Sequence, residues 1–166
     1  MPFFKQARRP GFFIPIRSEP DIARLLKAYP GFLAPKVISD TEMIFFSSDC
    51  LKEQAFGIME PFSPEIEALL DNRLSEQEMQ ELKNRYVPDI MLVPLSAFCQ
   101  TNRMGYGAGY YDRYIQNHPD ILTIGAAFDE QEADFKAMPW DQPLDLIVTP
   151  TRIIRKDDQA NTDFSE

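Results

Sequence analysis

The chain has 166 residues, of which 26 are acidic and 17 basic, for a net charge of −9 and a pI near 4.6. That balance repels polyanions, so nucleic-acid binding and docking on anionic lipid are set aside, and an anionic small ligand needs a local positive site. The longest apolar runs, FFIPI and IMLVP, fall far short of the roughly 20 residues that cross a bilayer, and the start carries no signal-peptide stretch. The expectation is a cytoplasmic protein with one domain over residues 1–155 and a polar, disordered tail over 156–166. Cys50 and Cys99 are too few for a disulfide framework or zinc site and are read as reduced, buried thiols.

In chain order, Phe12 to Ile16 reads as a first strand. Ser18 is placed to cap a helix with Pro20 in its first turn, and Ile22, Leu25, Leu26 and Tyr29 share one face at helical spacing. Pro30-Gly31 stops it. A strand follows at Ala34 to Ile38, with a short apolar segment at Met43 to Phe46 and a less regular stretch to Pro61. Ser75 and Glu78 form a capping box and Leu74 with Met79 a hydrophobic staple, predicting a surface helix over Glu76 to Arg85. Asp89 to Pro94, Leu122 to Ala127 and Leu144 to Thr149 are continuous apolar runs, as in strands covered on both faces. The fold class is α/β.

Between the strand at Asp89 to Pro94 and a helix near Tyr110 to Gln116 lie the loop Leu95 to Met104 and then GYGAGYYDR, residues 105 to 113. Glycines at 105, 107 and 109 permit positive φ and let backbone N–H groups converge, while the helix start adds unpaired N–H groups. Phosphate oxygens fit that chemistry, and so does a bare turn that lets helix and strand pack closely. Neither a dinucleotide fingerprint nor a Walker loop is present.

The flanking residues narrow the choice. In VPLSAFCQTNRMGYGAGYYDRYI, Val93, Pro94, Ala97, Phe98, Arg103, Gly105, Gly107, Gly109, Tyr110, Tyr111, Asp112 and Arg113 match a motif of the form VPG-x-AFD, short turn, RLGRGGGYYDR. FFIPIRSEPD, FGIMEP, IGAAFDEQ and DQPLDLIVT match further elements in order. From about Phe12 to Thr149 the chain thus resembles the 5-formyltetrahydrofolate cyclo-ligase (5,10-methenyltetrahydrofolate synthetase) family. The resemblance implies a three-layer α/β/α sandwich with a mostly parallel, Rossmann-like sheet. It also implies ATP and Mg2+, and a soluble ligase of folate metabolism. In that chemistry the formyl oxygen of 5-formyltetrahydrofolate, with or without a polyglutamate tail, is phosphorylated by ATP. The anilino nitrogen then closes the ring, and phosphate leaves.

By motif position the resemblance places Arg103, Gly105, Tyr106, Gly107, Ala108, Gly109, Tyr110, Tyr111, Asp112 and Arg113 on ATP, with Arg103 and Tyr110 catalytic. It places Glu19, Tyr106, Gly107, Gly109 and Tyr110 on the folate, and Asp112 and Asp145 on magnesium. On the residues alone, Asp112 also serves a helix dipole, Asp145 a turn, Glu19 a helix start and Arg103 a solvated loop. One of Tyr110 and Tyr111 is expected in the core and the other on the substrate. His118 is read as exposed at a helix end and Trp140 as packing. Cys99 and Tyr106 replace the motif's usual Asp and Arg. Family members usually begin with a longer helical segment whose Lys and Arg reach ATP. Here eleven residues precede Phe12, and Lys5, Arg8 and Arg9 are expected to fold over the glycine loop in partial compensation. A non-catalytic folate- or nucleotide-binding protein and a different enzyme on the same fold are the alternatives.

Overall fold

An apolar run without polar alternation needs cover on both faces, and the centre of this molecule supplies it. The computed structural model describes residues 2–16, 19–53 and 59–157; the expected Ser18 cap, residues 56–58 of FGIMEP and the tail from 158 lie outside these. β6 (Ile90–Val93) is buried throughout. Its Met91 and Val93 enter one apolar cluster and its Ile90 and Leu92 another. β1 (Pro10–Gly11) and β9 (Leu122–Ala126) flank it in parallel. β2 (Leu33–Val37) continues in parallel beyond β1, and β10 (Leu146–Val148) beyond β9. Antiparallel β3 (Met43–Ser47) and β11 (Ile153–Arg155) close the edges of a seven-stranded sheet, in the order β11-β10-β9-β6-β1-β2-β3.

Helices cover both faces, as expected of the three-layer arrangement. α1 (Ala23–Ala28) packs Leu25 and Leu26, with Ile22 and Tyr29 at its ends, on the Ile90 and Leu92 face. α4 (Tyr110–Asn117) places Tyr114 and Ile115 against Met91 and Val93 on the other. α2 (Pro64–Leu70) and α3 (Glu76–Arg85) bury Ile66, Leu69 and Leu82 against Ile44 and Phe46 of β3. α3 has the expected capping box, with the Ser75 N–H donating to Glu78 at 2.9 Å and the Glu78 N–H to the Ser75 hydroxyl at 3.3 Å. Leu74 and Met79 pack on the same cluster. α2, which was not anticipated, follows the same rules: Ser63 accepts from the Ile66 N–H at 3.2 Å and Pro64 opens the first turn.

Several expectations need correction. The first strand is Pro10–Gly11, not Phe12 to Ile16. Phe12 makes one further bond, from its N–H to the Leu33 carbonyl at 2.8 Å, and the run after it is outside the ladder. Phe12 and Phe13 are nevertheless buried; their apolarity reports packing, not pairing. α1 begins after Pro20, with the Asp21 carboxylate accepting from the Ala23 N–H at 2.8 Å. The loop Leu95 to Met104 contains a hairpin, β7 (Ala97–Cys99) and β8 (Asn102–Met104), and β4 (Leu51–Glu53) pairs with β5 (Met59–Pro61) apart from the main sheet. Both cysteines are half-buried. His118 is half-buried too, its ring stacked on Tyr114 at 4.2 Å. Arg8 and Arg9 do not fold over the glycine loop. Their N–H groups donate to Asp89 at 2.7 and 3.1 Å just before β6, at the sheet edge opposite the one from which the glycine loop departs.

Gly125 on β9 has no room for a side chain, since a Cβ there would stand 2.9 Å from both Leu95 and Leu144 and 3.1 Å from Ile147. Gly125→Ala is expected to destabilise by about 1–3 kcal/mol through overpacking, read as a lower denaturation midpoint at unchanged m-value. An unchanged midpoint would show that this cluster yields freely.

Candidate active site

The chain passes from β1 to β2 on one side and from β6 to β9 on the other, so the strand order reverses between β1 and β6. Loops leaving two such strands diverge and open a crevice at their C-terminal ends, the usual ligand position in α/β sheets. The segment after β1 carries Glu19, and the segment after β6 carries the hairpin and the glycine run. Topology thus directs two of the expected binding segments to one edge.

A cavity of about 380 Å³ lies there, lined by residues 103–112 on one side and by Phe135, Lys136, Met138, Trp140 and Asp141 on the other. The β7–β8 hairpin turns at Gln100, whose φ is +56°, and returns Arg103 to the cavity. Arg103 is only 6% exposed. Its Nη2 lies 3.1 Å from Asp112 Oδ2, close enough for strong attraction but off-axis for a hydrogen bond, so Nε and Nη2 are left without a hydrogen-bond partner. Unpaired buried donors of a cation are costly, and an anion in the cavity would satisfy them.

The glycines divide the work. Gly105 makes room for the guanidinium, because a Cβ there would lie 2.6 Å from Arg103 Nη1. Gly107 and Gly109 have φ of +94° and +67°, but Gly105 is not in the positive region. Gly109 caps α4 and offers no side-chain acceptor, which leaves first-turn N–H groups available to a ligand. Tyr106 is exposed at the cavity mouth and Ala108 lies between the two left-handed glycines.

The expected division between Tyr110 and Tyr111 does not occur, since both line the cavity and both pack against the core. The Tyr110 hydroxyl donates to the Ser39 carbonyl at 3.3 Å. Burial pushes the Tyr111 phenol up, with the Glu19 charge adding to it and Arg103 opposing, so the hydroxyl stays protonated. Glu19 is therefore electrostatically coupled to this end of the cavity, although its Oε2 accepts from the Ile16 N–H at 2.8 Å. Arg113 does not line the cavity. It donates to the carbonyls of Thr41 and Ala108 at 2.7 and 2.8 Å and ties the glycine loop to the β2–β3 turn.

Asp112 accepts from the Gln142 N–H at 3.1 Å, joining α4 to the opposite wall. Asp145 is not brought to it. Its Oδ2 accepts from the N–H and hydroxyl of Thr123, both at 2.8 Å, at the N-terminal ends of β9 and β10, and it is not among the cavity-lining residues. Asp141 is, together with Lys136 and the exposed Trp140, which does not pack in the core as expected. No spacing rule singles these out; the only signal was the first aspartate of DQPLD.

The model of the 5-formyltetrahydrofolate cyclo-ligase family matches residues 32–150. A 5-formyltetrahydrofolate cyclo-ligase of Mycoplasma pneumoniae is 38% identical over 116 residues, 69% of this chain and 52% of that protein. One of Mycoplasma genitalium is 48% identical over 62 residues, 36% of this chain and 38% of that protein. The chain thus spans about half or less of these relatives' length. The NMR structure of Aquifex aeolicus 5,10-methenyltetrahydrofolate synthetase superposes with a TM-score of 0.68 at 29% identity, covering 93% of this chain and 75% of the other. A 5,10-methenyltetrahydrofolate synthetase structure from Mycoplasma pneumoniae gives 0.59 at 30% identity, covering 89% and 77%. Matched by the family model from β2 to the end of β10, and built on the same sheet as these synthetases, the chain belongs to the 5-formyltetrahydrofolate cyclo-ligase family.

Proposed function

We propose that this chain closes 5-formyltetrahydrofolate to 5,10-methenyltetrahydrofolate at the expense of ATP, releasing ADP and phosphate. The observation that carries this reading is the buried Arg103 guanidinium, with two nitrogens lacking hydrogen-bond partners, beside the glycine loop. Phosphoryl transfer asks a protein mainly for positioning and charge neutralisation. Arg103 and the backbone N–H groups from Gly105 to Asp112 supply both to the triphosphate, and Lys136 adds a second cation across the cavity. Tyr110, hydroxyl-anchored on Ser39, lines the cavity where the transferred group would lie. Tyr111 closes the buried end, towards which Glu19 offers a carboxylate to the donor edge of the pterin. There the formyl oxygen meets the γ-phosphate, the anilino nitrogen attacks the activated carbon, and phosphate departs.

Asp112 and Asp141 share the cavity, and two carboxylates there would repel a triphosphate unless a divalent cation lies between them. No group of three or more metal-ligating side chains is found among the described residues, so phosphate and water would complete the coordination, as magnesium commonly accepts. Held by Asp112 and Asp141, magnesium would neutralise the phosphate oxygens. Asp145 is assigned to holding β9 and β10 together.

Incubation with 5-formyltetrahydrofolate and MgATP is expected to yield methenyl product and ADP in equal amounts; stoichiometric binding without product would overturn the catalytic reading. Arg103→Met should lower kcat/KM about 100-fold or more while circular dichroism stays native. Asp141→Asn should raise the magnesium requirement steeply. Asp145→Asn should instead lower stability by about 1–3 kcal/mol with its magnesium dependence unmoved, and the reverse pattern would return the metal to Asp145. Gly107→Val should weaken ATP binding through backbone strain, not collision, because nothing lies within 4 Å of a Cβ at that position although φ is +94°.

A further inference from the structure

Resting on the nucleotide reading of this cavity, we infer that Trp140 is the platform on which the nucleotide's adenine ring stacks. Exposure is graded along the cavity. Arg103 lies at the buried end, 6% exposed, whereas Met104, Tyr106, Met138 and Trp140 at the mouth are 47%, 62%, 47% and 64% exposed. Single exposed apolar side chains are ordinary, but four large ones around one mouth form a patch that marks a binding surface. A nucleotide has the matching polarity, with an anionic chain at one end and a flat heteroaromatic ring at the other. The pterin is a poorer occupant of the mouth, because the carboxylate suited to its donor edge, Glu19, is coupled to Tyr111 at the buried end.

The backbone that carries the indole is tied to the anion-binding groups. The turn bearing it is closed at both ends, by the Met138 N–H on Asp141 at 2.8 Å and the Asp141 N–H on the Met138 carbonyl at 3.0 Å. Gln142 donates to the Trp140 carbonyl at 3.3 Å through its side chain and to Asp112 through its N–H at 3.1 Å. Since Asp112 forms an ion pair with Arg103 at 3.1 Å, the backbone that bears the ring platform is linked to the phosphate cation by two hydrogen bonds and one ion pair. A base stacks on an aromatic face whatever its edge pattern, so adenine and guanine should differ little.

Trp140 is the sole tryptophan of the chain, so intrinsic fluorescence reports on it alone. With magnesium present throughout, ADP is expected to change its emission, and tripolyphosphate, which has the anionic chain but no ring, to bind by calorimetry without changing it. Trp140→Ala should weaken ADP binding about 10-fold, leave the affinities for tripolyphosphate and 5-formyltetrahydrofolate unchanged, and be largely rescued by Trp140→Phe. With most of the indole in water, the substitution does not open the core. Wild-type ADP affinity in Trp140→Ala, or a loss of folate affinity in its place, would overturn the stacking assignment while leaving the nucleotide site intact. Failure of both ADP and tripolyphosphate to bind the unaltered protein would instead remove the nucleotide reading and this inference with it.

Discussion

Arg103 is a cation buried to 6% exposure, and much of the surrounding structure answers to it. Removing a charge from water costs several kcal/mol unless partners replace the lost hydration. Asp112 restores part of that charge balance at 3.1 Å, and the Tyr111 ring lies 5.7 Å from the guanidinium. A side chain at Gly105 would displace the guanidinium, whose Nη1 would lie 2.6 Å from its Cβ. The β7–β8 pairing sets Arg103 opposite the fully buried Phe98, which fixes the arginine's depth. The pairing is incomplete, because two nitrogens lack hydrogen-bond partners. A partly satisfied polar network is unfavourable at rest and gains most when a ligand completes it.

Other polar residues of the same motifs act as struts. Arg113 spends its donors on two carbonyls, one in the glycine loop and one in the β2–β3 turn. Gln131 donates to the carbonyls of Leu95 and Ser96, both at 3.1 Å, and accepts from the Phe128 N–H at 2.7 Å, bracing the start of the hairpin against the segment after β9. Backbone carbonyls that would otherwise be short of partners are satisfied by these side chains. A loop so fastened loses little further freedom when it binds, which is what preorganised electrostatic stabilisation requires.

What could be read in the sequence follows from which physical effects leave a local trace. β6, β9 and β10 were legible because burial on both faces demands uninterrupted apolar residues. α3 was legible to the residue because its capping box is a local bond pattern. The strand at Phe12 to Ile16 was not, since an apolar run signals burial whether or not it joins a ladder. β7 and β8 have three residues each, too short to show a period. At the site, Arg103, Asp112 and the glycines could be placed because they are contiguous with a motif. Arg113 belonged to the same motif, yet the direction of its side chain is decided by the β2–β3 turn, far away in sequence. In DQPLD two aspartates stand four apart, and which one faces the cavity depends on the turn at Met138 to Asp141, a tertiary feature. Trp140 carried no pattern at all, because exposure of a large ring is visible only once the chain is folded.

A chain with a net charge of −9 gains nothing from long-range attraction when its ligand is itself an anion, so affinity must be built at contact distance. Beyond about a Debye length such charges are screened in any case. The cavity lining carries Arg103 and Lys136 against Asp112 and Asp141, so even locally there is no surplus of positive charge. On the proposed nucleotide reading, selectivity for a polyanion would come from geometry: a buried fork of donors, a helix start with a bare cap, and two carboxylates whose repulsion a divalent cation accompanying the phosphates would relieve. An arrangement of that kind would discriminate against free phosphate and against metal-free nucleotide alike, because neither neutralises all of the charges that the site has gathered.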